Sequence, residues 1–159
     1  MRNKIVNAYR EFLAKDRYLL EVKANERSLT HRLAIHIQAE FPGYHVDCEY
    51  NRNGMDPKRL DDFKRQVDSD DEKGVTVYPD IIVHHRGPEA GNNLIVIEAK
   101  TSENQQDCQN NHQCPCDYCK LRAYKANLGY QRAFFVIFPF GNDLEDYTDA
   151  ELDDYIIEV

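Results

Sequence analysis

The stretch Asn93–Lys100, NLIVIEAK, is the feature that most narrows the fold. Residues two apart on a strand share a face, so Leu94, Val96, Glu98 and Lys100 lie on one side and Ile95, Ile97 and Ala99 on the other. Both faces are apolar until the last residues. A strand of this kind is central in its sheet and covered on both sides. A second β-rich run, Val77–His85, precedes it across Arg86–Asn92, whose Gly, Pro and Asn residues suit a turn, so the two form a hairpin. Charges are costly inside a sheet unless paired, hydrated or bound to metal. Yet Asp80 stands on the first arm, and Glu98 and Lys100 close the second.

Flanking segments supply the covering layers. Ile5, Val6, Tyr9, Phe12, Leu13, Leu19 and Leu20 recur at helical spacing and predict a helix from Asn3 to about Val22. Asn25 is the N-cap of a second helix, Glu26–Glu40, in which Leu29, Leu33 and Ile37 share a face and Pro42-Gly43 is the stop. Glu26 lies on or beside that apolar face. Tyr44–Tyr50 alternates and reads as a strand, and Asn51–Gly74 as a long charged loop with a short helix at Lys58–Val67. A third helix spans Asp117–Leu128 with Gly129 as its stop, and Ala133–Pro139 is a compact buried strand. A short helix is expected at about Asp149–Ile157. The order is helix, strand, strand, strand, helix, strand, which makes an α/β fold with a mixed sheet flanked by helices.

The 159 residues fit one domain. No stretch approaches the ~18 apolar residues of a membrane helix, and the N-terminal segment lacks a signal-peptide pattern. Both point to the cytoplasm and away from membranes, where five cysteines serve as thiols or metal ligands. The net charge is −8. Asn142–Val159 holds eight of the 28 acidic residues and no Lys or Arg, so residues 1–141 carry 20 acids against 20 bases. The chain thus reads as a neutral body, residues 1–141, followed by an acidic tail, residues 142–159.

Two carboxylates brought together in a poorly solvated site repel unless a cation lies between them. Asp80 and Glu98 on neighbouring strands are such a pair, and oxygen ligands of this type suit Mg²⁺ or Mn²⁺. Lys100 beside that ion would orient or deprotonate a water, or stabilise charge on a phosphate. Pro79-Asp80 followed by Glu98-Ala99-Lys100 resembles the core signature of the PD-(D/E)XK (restriction endonuclease-like) nuclease superfamily. That family's α-β-β-β-α-β core has the element order read here from about Glu26 to Pro139. The resemblance implies metal-dependent hydrolysis of phosphodiester bonds, most often in DNA. Asp80, Glu98 and the Ala99 carbonyl would hold the metal, Lys100 would act on the attacking water, and Glu26 would support the site. The structural alternative is a surface salt-bridge cluster of Asp80, Glu98 and Lys100.

Lys120, Arg122 and Lys125 on the third helix, with Arg132 beyond it, offer charge that could follow a phosphate backbone, or simply a solvated helix face. "DCQNNHQCPCDYC" gathers Cys108, His112, Cys114, Cys116 and Cys119 in the insert 105–119. Cys116-x-x-Cys119 has knuckle spacing, and the set suits a structural Zn²⁺. Some members of the resembled superfamily hold an iron–sulfur cluster with four cysteines, but one of these usually lies far upstream, so zinc is favoured. A redox pair at Cys116/Cys119 or unliganded thiols are the other readings. Cys48 is a core thiol.

The expected function is a Mg²⁺-dependent nuclease of restriction, repair or defence type. The alternative is a non-catalytic binding module on the same fold, or a zinc-stabilised interaction protein. A neutral body is a poor solitary DNA binder. A homodimer or larger complex would complete a basic groove, or the tail would cover the site as a phosphate mimic until substrate displaces it.

Overall fold

The computed structural model describes residues 1–53, 56–60, 75–87, 92–103, 117–140, 152 and 154–159. The chain is a mixed α/β protein. Helices α1 (Arg2–Glu21) and α2 (Glu26–Glu40) come first. Strand β1 (His45–Cys48) follows, then four two-residue strands: β2 (Arg52–Asn53), β3 (Asp56–Pro57), β4 (Arg59–Leu60) and β5 (Val75–Thr76). Strands β6 (Ile81–His84) and β7 (Asn93–Thr101), helix α3 (Asp117–Leu128), and strands β8 (Arg132–Phe138) and β9 (Ile156–Glu158) complete the described elements.

The main sheet has five strands in the order β1-β6-β7-β8-β9. β7 runs antiparallel to β6 and parallel to β8, so the connection holding α3 must cross back over one face of the sheet. β7 is central and buried along almost its whole length, as its two apolar faces require. Alternation sorts its side chains into two cores. Ile95, Ile97 and Ala99 pack with Tyr9, Phe12, Leu29, Leu33 and Ile37 of α1 and α2. Val96 packs with Leu121 and Tyr124 of α3. Leu94, expected on the Val96 side, joins the first core instead, close to where the β6–β7 register shifts at Val83/His84.

Local chemistry accounts for the helix limits. Asn25 Oδ1 accepts from the Ser28 N–H at 2.9 Å, so the expected cap starts α2. Gly129 follows α3 with φ +70°, the left-handed conformation that ends helices cheaply at glycine. Asp16 joins the two N-terminal helices: it accepts from Arg32 Nε at 2.9 Å and lies 2.7 Å from His36 Nε2. The Tyr9 hydroxyl ties α1 to the sheet by donating to the Ile137 carbonyl at 2.6 Å.

Three expectations are corrected. The helix expected from Lys58 does not begin there, because Arg59–Leu60 pairs with Val75–Thr76 as a two-stranded ribbon; residues 61–67 lie outside the described residues. The first hairpin arm is shorter than Val77–His85, because residues 77–80 make no sheet ladder and the strand begins at Ile81. The end of the acidic tail is not helical through Ile157. Residues 152, 154 and 155 are helical, but Ile156–Glu158 forms an edge strand antiparallel to β8. Leu152 and Ile156 are fully buried in the α1–α2 core, so the last residues belong to the domain rather than standing off it.

This packing predicts that Ile156→Ala lowers the unfolding free energy by about 2–5 kcal/mol, the cost of a large-to-small change at a buried site. Urea denaturation measures it, and an unchanged midpoint would show that the C-terminal strand does not dock.

Candidate active site

The β6–β7 register pairs Ile81 with Ile97. One step further out, Asp80 comes opposite Glu98, so the two acids of the hairpin meet at one end of the sheet. The contact is held by backbone: Asp80 Oδ2 accepts from the Ala99 N–H at 2.8 Å. On an extended strand the amide and carbonyl of one residue point to the same edge. The Ala99 carbonyl therefore faces the edge on which Asp80 lies.

Two helix N-termini converge on the same end. Glu26, in the first turn of α2, accepts from Lys100 Nζ at 3.0 Å. Asp117, in the first turn of α3, lies 3.8 Å from Lys100 Nζ and 2.6 Å from Lys120 Nζ. Lys120 Nζ is in turn 3.7 Å from Glu98 Oε2. Glu98 and Asp117 are each only 3% exposed. The positive ends of two helix dipoles favour the carboxylates of Glu26 and Asp117 at these positions.

Burial and mutual repulsion govern the charges. Burial, reinforced by Asp80, pushes the Glu98 carboxyl up to about 8, against the opposing pull of Lys120 and a hydrogen bond from Tyr124. Burial raises Asp80 to about 6, although the Ala99 N–H and Lys100 work to lower it. Burial disfavours the Lys100 ammonium, but Asp117, Glu26 and Asp80 outweigh it and raise its pKa. Lys120 is raised in the same way, with Glu98 and Asp117 overcoming its burial.

One atom is left over. Glu98 Oε1 is buried and makes no hydrogen bond, a state that costs several kcal/mol if nothing neutralises it. An oxygen of this kind beside a second carboxylate fits a divalent cation held by Asp80, Glu98 and the Ala99 carbonyl, with waters completing the shell. Among the described residues no group of three or more His, Cys, Asp or Glu side chains is arranged to hold a metal ion.

Asp80, Glu98, Lys100 and Glu26, the four residues singled out on the sequence, therefore lie together. Lys120 joins them as a partner of Asp117 and Glu98. Arg122 is exposed. Lys125 and Arg132 are engaged elsewhere, with the Val159 carbonyl at 2.9 Å and with Glu158. Cys108, His112, Cys114 and Cys116 lie outside the described residues; Cys119 is exposed on α3. Cys48 packs partly buried against the α1–α2 core, and burial lifts its thiol to about 11. Asp117 was missed on the sequence, where an acid in a helix first turn is ordinary. Its one local signal is the Asp117–Lys120 spacing, an i,i+3 pair.

A chemically distinct cluster occupies the opposite end of β6. Buried His84 lies 2.8 Å from Asp47 Oδ2, and Arg86 clamps the same carboxylate. Fully buried Lys58 donates to the Tyr50 carbonyl at 3.1 Å and sits over the Tyr50 ring, and burial lowers its pKa to about 8.

Compared with known proteins, the chain matches no protein-family model, no curated protein and no solved structure. Among the described residues no helix is long and apolar enough to cross a membrane.

Both acids of the pair have folded-state pKa values above their ordinary ones, so folding binds protons. Their contribution is favourable at low pH and is lost as pH rises, through about 6 for Asp80 and about 8 for Glu98. In chelator-treated protein, Glu98→Gln should therefore gain stability relative to wild type between about pH 5 and 8, by on the order of a few kcal/mol. Thermal melts across that range test it. A difference independent of pH would mean that Glu98 is ionised throughout.

Proposed function

We propose that this protein is a metal-dependent nuclease with a restriction endonuclease-like fold, hydrolysing phosphodiester bonds in DNA, in a restriction, repair or defence role. The observation that carries this reading is the unpartnered, buried Oε1 of Glu98 beside Asp80, with the Lys100 ammonium in the same cluster. A structural salt-bridge cluster at a protein surface would leave neither a fully buried carboxylate nor an orphaned oxygen. The insert's Cys108, His112, Cys114, Cys116 and Cys119 remain a proposed Zn²⁺ clip at the rim.

Asp80, Glu98 and the Ala99 carbonyl would hold Mg²⁺ or Mn²⁺, which when bound supplies Lewis acidity and a more acidic water. The chain's own residues do the rest. The Ala99 N–H fixes the Asp80 carboxylate against β7, so the donor pair is preorganised by the strand ladder. Lys100 retains its proton among Asp117, Glu26 and Asp80. It therefore serves as an ammonium that orients a water and offsets charge building on the phosphate, not as a base. Glu26 holds that ammonium in place through its 3.0 Å hydrogen bond. Lys120 and Asp117 neutralise each other at 2.6 Å beneath the site.

One observation favours the second reading, a binding module with no chemistry. Lys100 and Lys120 already pair with Glu26 and Asp117, so half of the cluster's carboxylates are answered by the chain's own cations.

Two measurements decide between them. With Mg²⁺ or Mn²⁺, wild type should cleave DNA and Lys100→Ala should lose about 10²–10³-fold in kcat, the scale of removing one transition-state donor. Equal inertness of both on every DNA tried would leave the binding module standing. Because Glu98 holds a proton below about pH 8 and Asp80 only below about 6, Mn²⁺ binding should release close to one proton at pH 7 and tighten about tenfold per pH unit between those two values. Calorimetry in buffers of different ionisation enthalpy reads this directly, without reference to cleavage.

A further inference from the structure

We infer that Tyr78 is a stacking platform for an unpaired base and that the site takes single-stranded DNA; the inference rests on the nuclease reading above. Tyr18 and Tyr78 are the exposed aromatic side chains among the described residues, and Tyr78, 57% exposed, stands two residues before Asp80. That separation spans no more than about 7 Å of extended chain. The backbone beneath the ring is fixed on both sides. The Val77 N–H donates to the Lys58 carbonyl at 3.0 Å, Pro79 is buried, and Asp80 is bound to the Ala99 N–H. Pro79 also confines Tyr78 to extended backbone. A nucleobase would cover the exposed face of this ring with little entropy lost, because the backbone beneath it is already fixed.

The charges around the site argue for stacking over phosphate tracking. Arg27 pairs with Glu49 at 2.8 Å, Lys23 with Glu103, Lys100 with Glu26 and Lys120 with Asp117. Asp80 and Glu98 are left in excess, and one divalent ion would only balance them. Among these described residues no cation is left over to follow the two strands of a duplex by counterion release. Bases within a duplex are stacked on one another and closed to the ring, whereas a single strand offers its π-faces freely. Arg27, whose side chain is 82% exposed, can exchange Glu49 for a phosphate at little cost, as surface ion pairs are weak.

The test uses the full chain with a labelled single-stranded oligonucleotide and a blunt duplex of the same sequence. Binding is read by anisotropy in Ca²⁺ and cleavage in Mg²⁺, for wild type, Tyr78→Ala, Tyr78→Phe and Lys100→Ala. Tyr78→Ala should weaken single-strand binding about five- to a hundredfold, the range found for one base–aromatic stack. It should raise KM with kcat nearly unchanged, while Tyr78→Phe stays within about twofold of wild type. Single strand should be preferred to duplex throughout. Active wild type with Tyr78→Ala binding single strands equally well, or with blunt duplex preferred, overturns the inference and leaves the nuclease reading intact. Tyr78-dependent single-strand binding with wild type and Lys100→Ala equally inert upholds the platform and overturns the nuclease reading.

Discussion

The architecture follows from burying β7. A strand apolar on both faces needs a cover on each, so α1 and α2 take one side of the sheet and α3 the other. Because β8 runs parallel to β7, the chain must return over the α3 face before it can pair again. The first turns of α2 and α3 thereby arrive at the end of the sheet where β7 finishes. Glu26 and Asp117 are then brought to Lys100 from opposite faces, at 3.0 and 3.8 Å. The polar cluster is thus a consequence of how the hydrophobic layers close.

Within that cluster, burial and charge oppose each other. Glu98 is placed on β7 by the same alternation that buries Val96, and its side chain is almost closed to water. A carboxylate so placed must find a cation, a donor or a proton. Lys120 and Tyr124 partly supply this through one side, while Oε1 is left without a partner. Raised carboxyl pKa values at Asp80 and Glu98 are the thermodynamic trace of that frustration. Perturbations of this type gather at functional sites because a site made only for stability would have replaced the acids with apolar residues. The Asp47–His84–Arg86 cluster at the far end of β6 shows the contrast. There Arg86 and His84 satisfy the half-buried Asp47 carboxylate, and its pKa falls in spite of its partial burial.

Several features were legible because their causes are local. The limits of α2 and α3 follow from the Asn25 cap, the Pro42-Gly43 break and the stop at Gly129, each acting within a turn of the chain. The pairing of Asp80 with Glu98 was legible because a hairpin register propagates from one end to the other. The pairing of Lys120 was not legible, since its partners Glu98 and Asp117 meet only when α3 packs on the sheet. The C-terminal segment was misread as helix, since the choice of strand depends on the free edge of β8, which has no sequence signature near Ile156.

The sequence by itself determined the central strand, its hairpin partner and the two acids that meet where it ends, because side-chain periodicity and caps act over a few residues. Tertiary structure alone decided how deeply Glu98 is buried, which lysine answers which acid, and that the chain ends as an edge strand. Those outcomes depend on distances between segments far apart along the chain, and desolvation and charge pairing are set by such distances, not by local pattern.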